Sequence, residues 1–438
     1  MRGLVDLSLL SDSYYSYDFI FQFIIFPAAP RSFWPHTPAP VPSLTSTLSV
    51  STDVQLFESA KLGSRVVREG ACSDPRPFIE GAHLLYQLDN WDDQAYVSGV
   101  RQKLSSLLHK VFFTFLLADP RQRRLVVCEN LFHPRQLKQL LLSLCFEDLK
   151  VASVTLVSSH LLALLSVRRA SGLVIDCGFW ETSMVPFYDA RPLMSLARSL
   201  PLAGAAINHR LRALLKEHAT LTDTATGTTQ PLSALQDTSF LDLDLLENLK
   251  ARIASVAEVP REQKARDASP VVQVPLSNSS GSVSSGGGRV LTFPAWIGEE
   301  ICEVLFEKDP EDDRSLPISI AETLLWSNTD VRATLASSIL VTGGTAMIPG
   351  FQRRLEVTLR SLIAAEERYV PLRPLLRSSL AFVLTPFKPN LISWAGASAI
   401  GPLKIHSHEI SAEDFLTRGR QAPDWSIMQL RTALPTSE

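Results

Sequence analysis

The chain has 438 residues, of which 45% are hydrophobic and 20% are charged, a composition typical of folded globular proteins. At about 150 residues per domain, this length allows roughly three domains. Lys and Arg number 42 and Asp and Glu number 45. The resulting net charge of −3 excludes an overall basic field of the kind that wraps nucleic acid.

The cysteines and the apolar runs narrow the class of protein further. No apolar run reaches the roughly 18 residues that a membrane span requires. The chain has five cysteines, and none of them forms a CxxC pair: Cys72, Cys128, Cys145, Cys177 and Cys302. This pattern argues against a disulfide framework and a zinc knuckle, and it favours a reducing compartment. We therefore expect a soluble intracellular protein without membrane insertion.

The first 52 residues differ from the rest of the chain. Residues 19–26 (FIFQFIIF) are aromatic and apolar, but three aspartates precede them, whereas a secretory signal carries positive charge there. A stretch rich in Pro, Ser and Thr follows, up to about Thr52. We predict a disordered N-terminal extension at 1–52, and a cleaved or membrane-inserting segment is the alternative.

From about Val54 the apolar residues alternate between helical and strand spacing. In the first half of the chain the spacing predicts a mixed α/β sheet with helices on both faces. The predicted helices are 97–115, 135–145, 161–165 and 207–217, and the predicted strands are 125–128, 151–156, 173–175, 183–187 and 192–196.

The second half continues the same alternation around one polar stretch. Residues 264–289 contain the run SNSSGSVSSGGG and have too little apolar area to fold, so we predict a flexible surface loop. The predicted helices are 241–259, 294–307, 318–326 and 351–364, the predicted strands are 339–341 and 382–384, and 390–401 is predicted to run from strand into helix.

Three glycine-bearing turns carry the functional information. The first ends a buried strand with Asp176 and Gly178. A carboxylate in that position can order water around a metal–phosphate group, and glycine lets the backbone come close to phosphate. The alternative is a purely structural turn, because the Asp-x-Gly pattern is very common.

The second turn is more specific. A strand breaks at Gly343 and Gly344, and a helix begins after Pro349-Gly350, so the loop that includes Thr345 and Met347 can lie flat against an adenine ring and ribose. The third turn, ISWAGASAIG at 392–401, enters a helix through small residues. Small residues there allow close packing between helices.

In this order, the three turns resemble motifs of the actin superfamily. VIDCG at 174–178 resembles its second phosphate loop, LVTGGTAMIPGF at 340–351 its adenosine motif, and ISWAGASAIG its second connecting helix. The resemblance covers residues 56–425. It implies an α/β, actin-like, two-lobed ATPase fold built from duplicated ribonuclease H-like domains.

The resemblance also implies a domain organisation. The first lobe is expected at 53–168 plus 393–438 and the second lobe, with subdomains 3 and 4 and the flexible loop, at 169–392. Fewer than twenty residues separate Ile79 from Val97, where the family places its whole second subdomain. We therefore expect that subdomain to be largely missing.

The stretch that matches the first phosphate loop departs from the family pattern. Gly63 and Gly70 keep their register in KLGSRVVREG. Lys61, however, stands where the metal-organising Asp is expected, and Arg68 replaces the phosphate-binding Lys. Loss of the carboxylate weakens magnesium ordering.

The second phosphate loop and the position of the attacking water also differ. Phe179 and Trp180 replace the usual Asp-Gly after Gly178, which removes the second carboxylate. Ser159 falls at or beside the water-activating Gln of actins and is too short to position a water in the same way. His160 is a possible base, although a packed or solvent-facing histidine is the favoured interpretation.

The adenosine side is better preserved than the phosphate side. Lys250 matches the Lys of an adenosine-contacting Lys-Glu pair, but Ala251 replaces the Glu. With these expected positions altered, we predict no catalytic residues, no metal site and no efficient ATP hydrolysis. ATP or ADP bound without turnover is the expected cofactor at most, in a residual pocket that consists of Asp176, Gly178, Gly343, Gly344, Thr345 and Met347.

Three shorter segments are similar to the actin-related proteins found at the pointed end of the dynactin filament: GRQAPDW at 419–425, DPRQRR at 119–124 and LPLAG at 200–204. This resemblance implies a cytoplasmic, cytoskeletal, non-catalytic subunit that caps the filament and supports dynein-driven transport along microtubules. The implied partners are the actin-related filament subunit and other pointed-end subunits of dynactin.

The sequence also offers candidate anchor residues for a protein interface, and it leaves two alternative functions to consider. Trp425, Arg418 and Arg420 are candidate anchors, although simple packing of the C-terminal segment accounts equally well for Trp425. An actin-fold ATPase with residual turnover is the alternative function, supported by Asp176 and the Gly343 turn. A nuclear remodelling subunit has no support beyond the shared fold.

Overall fold

The computed structural model describes residues 22–27 as backbone, and 94–115, 117–133, 135–224, 226–235, 238, 240–258, 269–276, 289–308, 314–400, 409–417, 419 and 421–422. These residues fall into two compact units. The first unit contains the described residues up to Ser159 and from Ala397 onward, and the second contains His160–Gly396. The sequence prediction has the corresponding lobe boundaries at 168 and 392.

Strands and helices alternate along most of the described chain, as the hydrophobic spacing predicts. The strands are β1 (Gln22–Pro27), β2 (Arg123–Glu129), β3 (Ser153–Ser158), β4 (Gly172–Cys177), β5 (Thr182–Tyr188), β6 (Arg191–Pro192), β7 (Arg198–Leu200), β8 (Thr220–Asp223), β9 (Thr229–Pro231), β10 (Val271–Leu276), β11 (Arg289–Pro294), β12 (Ile339–Thr342) and β13 (Glu409–Ser411). The α-helices are α1 (Gln94–His109), α2 (Arg135–Ser143), α3 (Ser159–Ser166), α4 (Gly204–His218), α5 (Leu243–Ile253), α6 (Ile297–Glu303), α7 (Leu316–Trp326), α8 (Thr329–Ala336), α9 (Phe351–Ala365), α10 (Arg373–Ser378), α11 (Ile392–Ile400) and α12 (Ala412–Thr417).

The first unit is built around a four-stranded sheet in the order β1-β2-β3-β13. β2 and β3 are parallel, and the two outer strands pair antiparallel with them. Helix α1 continues as a π-helix at Lys110–Phe115. Its apolar residues at three- and four-residue spacing are buried in the core of this unit: Val100, Leu104, Leu108, Val111 and Phe112.

Strand β1 corrects the prediction of disorder for part of the N-terminal extension. It pairs antiparallel with β2, from Gln22 opposite Cys128 to Pro27 opposite Arg123. The sequence QFIIFP is rich in β-branched and aromatic residues, which favour strands. Pairing with β2 adds to this local preference, and the two together outweigh the polar, proline-rich composition on which the prediction of disorder depends.

The second unit contains a mixed sheet in the order β12-β4-β5-β6, with β7 also paired to β5. β12 and β4 are parallel, and the remaining pairs are antiparallel. Nearly every residue of β4 and β12 is buried, as expected of parallel strands covered on both faces.

A second sheet of this unit corrects the prediction of one continuous flexible loop at 264–289. The four antiparallel strands run in the order β10-β11-β8-β9, and β10 comes from within the predicted loop. Its sequence VVQVPL pairs with β11 over six residues, and Val274 packs in the core with Leu291 and Phe293. The Ser- and Gly-rich composition of the whole window hides this short apolar strand.

Smaller differences lie at turns. The strand predicted at 192–196 is a 3-10 turn at Met194–Leu196, and pairing with β5 resumes at β7. Phe382 makes a single bridge to Ile339 instead of a strand, and Pro389–Leu391 is a 3-10 turn that leads into α11. The mixed α/β fold class is confirmed. Within the described part of the chain, no helix is long and apolar enough to cross a membrane.

Candidate functional site

The parallel strands β4 and β12 bring the two predicted nucleotide loops together. Thr342 lies opposite Asp176 in their register, so the loops that follow the two strands leave from the same edge of the sheet. Loops at the carboxyl ends of parallel strands are common ligand sites in α/β proteins. This edge carries the predicted site residues on two adjacent loops: Asp176 and Gly178 on one, Gly343, Gly344, Thr345 and Met347 on the other.

The two loops touch each other directly. The Thr345 hydroxyl donates a hydrogen bond to the Gly178 carbonyl over 2.7 Å. Gly343 has a φ of +98°, and a Cβ there would lie 2.8 Å from Asp176 Oδ1 and collide with the Cys177 carbonyl. Only glycine fits this crossing. Met347 ends the 3-10 turn Thr345–Met347, and its N–H donates to the Gly344 carbonyl.

The backbone of the second phosphate loop is hydrogen-bonded within the protein. The Gly178 N–H donates to the Glu181 carbonyl over 3.0 Å. At the start of α4, the Gly204 N–H donates to the Gly178 carbonyl over 3.1 Å, and the Ala205 N–H donates to the Phe179 carbonyl over 2.6 Å. Free amides at a helix start can bind anions, but these two amides already have acceptors.

Phe179 and Trp180 point into different environments. Phe179 is only 7% exposed, whereas Trp180 is 37% exposed. Their rings pack edge to face, with centroids 4.9 Å apart. A Cβ built on Gly204 would lie 3.2 Å from Phe179 Cδ2, so the ring packs directly against the start of α4.

A buried polar cluster lies beside the Phe179 ring. The Lys250 ammonium pairs with Glu247 Oε1 on the same helix, lies 3.4 Å from the Gly204 carbonyl, and lies 5.3 Å from the centroid of the Phe179 ring. The Asn208 amide also donates to Glu247 Oε1. Among the described residues, no donor reaches Glu247 Oε2 or Asn208 Oδ1.

The residues predicted from the sequence include Lys250 but neither of its neighbours in this cluster, Glu247 and Asn208. Glu247 precedes Lys250 by three residues on a predicted helix, which is the spacing of a side-chain pair. Asn208 is a single amide beside an apolar position of α4. These patterns are common on exposed helices, so spacing alone does not indicate that the pair is buried.

Comparison with known proteins identifies the family. A family model for actin matches residues 96–422. The chain belongs to the actin family. It is similar to "Actin-related protein 10" of Dictyostelium discoideum, with 23% identity over 75% of this chain and 74% of that protein. It is also similar to "Putative actin-29" of the same organism, with 23% identity over 75% of this chain and 76% of the relative. Human "Actin-like protein 9" is 26% identical over 62% of this chain and 58% of its own length.

The match confirms the actin-family resemblance and the actin-fold expectation. The family's pattern at the first phosphate loop lies outside the residues that the structure describes, so the altered positions there stay predictions: Lys61, Gly63, Arg68 and Gly70. The same holds for the expected absence of the second subdomain and for the candidate anchors Arg418, Arg420 and Trp425.

The packing expected of the third actin-family motif is confirmed. A Cβ on Gly396 of α11 would lie 2.6 Å from the carbonyl carbon of Leu162 on α3. The two helices therefore cross at backbone distance. A side chain at Gly396 would push them apart, so the small residues of ISWAGASAIG serve helix packing.

His160 is a packed histidine, as the favoured interpretation has it. Its side chain is fully buried, and Nε2 lies 2.8 Å from the Ser183 hydroxyl. Burial lowers the pKa of His160 to about 4, against the hydrogen bond to Ser183, which raises it. The ring is therefore neutral at physiological pH and is not exposed to a solvent-borne substrate.

The described thiols offer neither a nucleophile nor a metal site. Cys128, Cys145, Cys177 and Cys302 are all buried and carry reduced thiols. Burial raises the pKa of both Cys145 and Cys302 to about 12, so these thiols stay protonated. Within the described ranges, no group of three His, Cys, Asp or Glu side chains is placed to hold a metal ion.

Proposed function

We propose that this actin-family chain is a non-catalytic structural subunit of dynactin, which caps the pointed end of the actin-related filament and supports dynein-driven transport along microtubules. Its partners would be the actin-related filament subunit and other pointed-end subunits, in the cytoplasm and on the cytoskeleton. The similarity to "Actin-related protein 10" and the short segments at 119–124, 200–204 and 419–425 support this narrower assignment.

The observation that carries the non-catalytic part is the position of Phe179. It stands where the second phosphate loop of actins has a carboxylate, and its ring is buried against α4 instead of facing a phosphate. The loop amides and the first two amides of α4 already have protein acceptors. Phosphoryl transfer depends on metal ions and fixed donors around the phosphate, and a buried Phe179 ring and loop amides that already have acceptors supply neither.

An exposed aromatic side chain on the second unit supports a role in binding a protein. Trp326 ends α7 and is 61% exposed. The Arg198 guanidinium lies 4.1 Å from the centroid of its ring, and a 3.0 Å ion pair with Glu322 holds Arg198 in place. Pre-ordered Trp and Arg side chains are enriched among the residues that dominate protein–protein affinity.

The length of the chain between Ile79 and Val97 bears on filament growth. Filament growth needs a heterologous subunit with two competent faces, one for each neighbour. Between Ile79 and Val97 the chain has too few residues for the subdomain that actins place there. A subunit with a single competent face ends the filament, because nothing can add beyond it.

The direct test is to mix the purified full chain with dynactin filament subunits and to image the product by electron microscopy. We expect the chain at one terminus only, and no filaments when the chain is sedimented alone at high concentration. Co-purification with dynactin would separate this role from that of a nuclear remodelling subunit. Incorporation along the length of the filament would contradict the proposal.

A surface variant tests the binding face. Trp326→Ala should weaken binding to the filament end by roughly 30-fold or more if Trp326 is an anchor worth about 2 kcal/mol. The control is Tyr188→Ala, which removes an aromatic side chain that is 45% exposed elsewhere on the same unit. Both variants should keep the melting temperature of the parent chain. Equal affinity of the two variants would exclude Trp326 as an anchor.

The alternative is an actin-fold ATPase with residual turnover. It is favoured by Asp176, which remains at the end of β4 beside the Gly343 turn. We expect phosphate release at the background rate, because removing fixed catalytic donors typically slows a reaction about a hundredfold or more. Turnover that Asp176→Ala abolishes would establish the alternative.

A further inference from the structure

The interior of the second unit is filled at the point where the two nucleotide loops meet α4 and α5. Three side chains from different elements converge on Gly204. A Cβ there would lie 3.2 Å from Phe179 Cδ2, 3.3 Å from Lys250 Nζ and 3.3 Å from Thr345 Oγ1. An added Cβ would be crowded at these distances, so the two loops and both helices pack closely around Gly204.

We propose that the Phe179 ring takes the place of a nucleoside in this chain, so that the second unit folds and stays folded without bound nucleotide. The inference goes beyond the filament-end role and does not depend on it. A subunit that binds another partner, or no partner at all, would still have the Phe179 ring in the place of a nucleoside.

The hydrogen bonds of the phosphate loop argue for this arrangement. An anion would need free N–H donors, but the N–H groups of Gly178, Gly204 and Ala205 donate to protein carbonyls. The Gly178 carbonyl accepts from both Gly204 and Thr345, which joins the two loops to α4. A phosphate could enter only after several of these bonds are broken.

The charges and rings beside the loop argue in the same direction. The Lys250 ammonium, the one cation among the groups that converge on Gly204, is neutralised by Glu247 at hydrogen-bonding distance. The same ammonium faces the Phe179 ring at 5.3 Å, within the range of a cation–π contact. A buried aromatic ring also supplies the apolar area that a purine base would otherwise bury.

Two buried acceptors define the result that would overturn the proposal. Glu247 Oε2 and Asn208 Oδ1 meet no donor among the described residues. Buried acceptors are usually satisfied, and an ordered water suffices for both. A sugar hydroxyl would satisfy them equally well, so a nucleoside seated at these atoms would displace the ring and refute the proposal.

The first measurement uses the full-length protein as purified. Acid extraction followed by mass spectrometry should release adenine nucleotide far below one mole per mole of protein. Millimolar MgATP and adenosine should leave the melting temperature unchanged, because a ligand stabilises only a folded state that binds it. Stoichiometric nucleotide, or an upward shift with either ligand, overturns the proposal.

Variants at Phe179 provide the second measurement. Phe179→Ala should lower the melting temperature by roughly 5–15 °C, since deleting a buried aromatic ring leaves a cavity. Adenosine should recover part of that loss in the variant while leaving the parent chain unaffected, as apolar cavities accept small rings. Phe179→Leu, with a smaller cavity, serves if the alanine variant does not fold. An unchanged melting temperature in both variants overturns the proposal.

A matched control distinguishes the ring from its neighbour. Trp180→Ala removes a larger aromatic side chain that is 37% exposed and follows Phe179 directly. It should lower the melting temperature less than Phe179→Ala and should gain no response to adenosine. The outcome of this test is independent of the filament-binding test. Phe179→Leu can leave the site partly empty while Trp326 still binds the filament end.

Discussion

The second unit buries two glutamate–cation pairs, and they differ in how completely they are hydrogen-bonded. Arg354 on α9 pairs with Glu303 on α6 over 2.9 Å, and it also donates to the Ala257 carbonyl and to the Thr358 hydroxyl. Lys250 and Glu247 form the second pair, which Asn208 joins. Both pairs are almost entirely removed from solvent.

The two pairs differ in the number of their polar atoms that have a hydrogen-bond partner among the described residues. All three guanidinium nitrogens of Arg354 have acceptors, so this pair connects α9 to α6 and to the segment after α5. The other pair leaves Glu247 Oε2 and Asn208 Oδ1 without donors among the described residues. A fully satisfied buried network makes a fold more rigid, whereas each buried polar atom without a hydrogen bond lowers the net stability that its network provides.

The largest expected effect is at the satisfied pair. Arg354→Ala leaves Glu303 buried without its partner, which should lower the free energy of unfolding by about 3–5 kcal/mol. The control is Arg353→Ala, because the neighbouring Arg353 is 70% exposed and its ion pair with Glu258 lies on the surface. That variant should change stability by under about 1 kcal/mol in urea unfolding. Equal losses in both variants would contradict the structural role of Arg354.

The next largest effect on stability is expected at His160, a buried base that belongs to neither of the two glutamate–cation pairs. Its pKa is about 4 in the folded protein and 6.5 in the unfolded chain, so the unfolded state binds the proton first as the pH falls. Stability from the neutral ring is complete above about pH 6.5 and is lost progressively toward pH 4. The loss between pH 7 and pH 4.5 should be about 2–3 kcal/mol.

The measurement is the difference between the parent chain and His160→Gln in urea unfolding at the two pH values. Gln keeps a side chain that can hydrogen-bond Ser183 but cannot take up the proton. The variant should therefore lose less stability on acidification than the parent. His209→Gln, at an exposed histidine, should behave like the parent.

The smallest expected effect separates the two pairs most sharply. The triple variant Asn208→Leu/Glu247→Leu/Lys250→Met replaces the incomplete pair, and the amide that bonds to it, with apolar side chains of similar size. It should change the free energy of unfolding by less than about 1 kcal/mol or increase it, because burying two charges is itself unfavourable. The double variant Glu303→Leu/Arg354→Met should be less stable, since the Ala257 carbonyl loses a 2.7 Å hydrogen bond, whereas the Gly204 carbonyl loses only a 3.4 Å contact in the triple variant. Equal stability of the two multiple variants would remove the distinction.

Much of the fold follows from hydrophobic spacing, and the failures share one cause. The apolar runs of β4 and β12 are uninterrupted and that of α9 has helical spacing, and the structure has these elements where the spacing predicts them. β1 and β10 are six-residue strands inside windows of polar, Pro-rich or Gly-rich composition. Their stability comes from pairing with β2 and β11, which a local window does not contain.

The candidate site was predictable in its glycines and not in its side-chain packing. Gly343 can be recognised because a strand that breaks at paired glycines needs a special backbone, and its φ of +98° confirms this. The loss of a carboxylate at Phe179 is also visible in the sequence. Where the ring points depends on Gly204, Lys250 and Thr345, which come from three distant parts of the chain.

The sheet of the first unit has a consequence for the order in which the chain is made. β3 pairs on one side with β2 and on the other with β13, which follows it by 250 residues. At about 5–20 residues per second, a ribosome needs roughly 10–50 s to synthesise the residues between them. During that time the whole of His160–Gly396 emerges and can form its core, while the β3 edge remains open to pairing with other strands. The unit that begins synthesis first is completed last, so a nascent chain arrested before Glu409 should be the form most prone to aggregate.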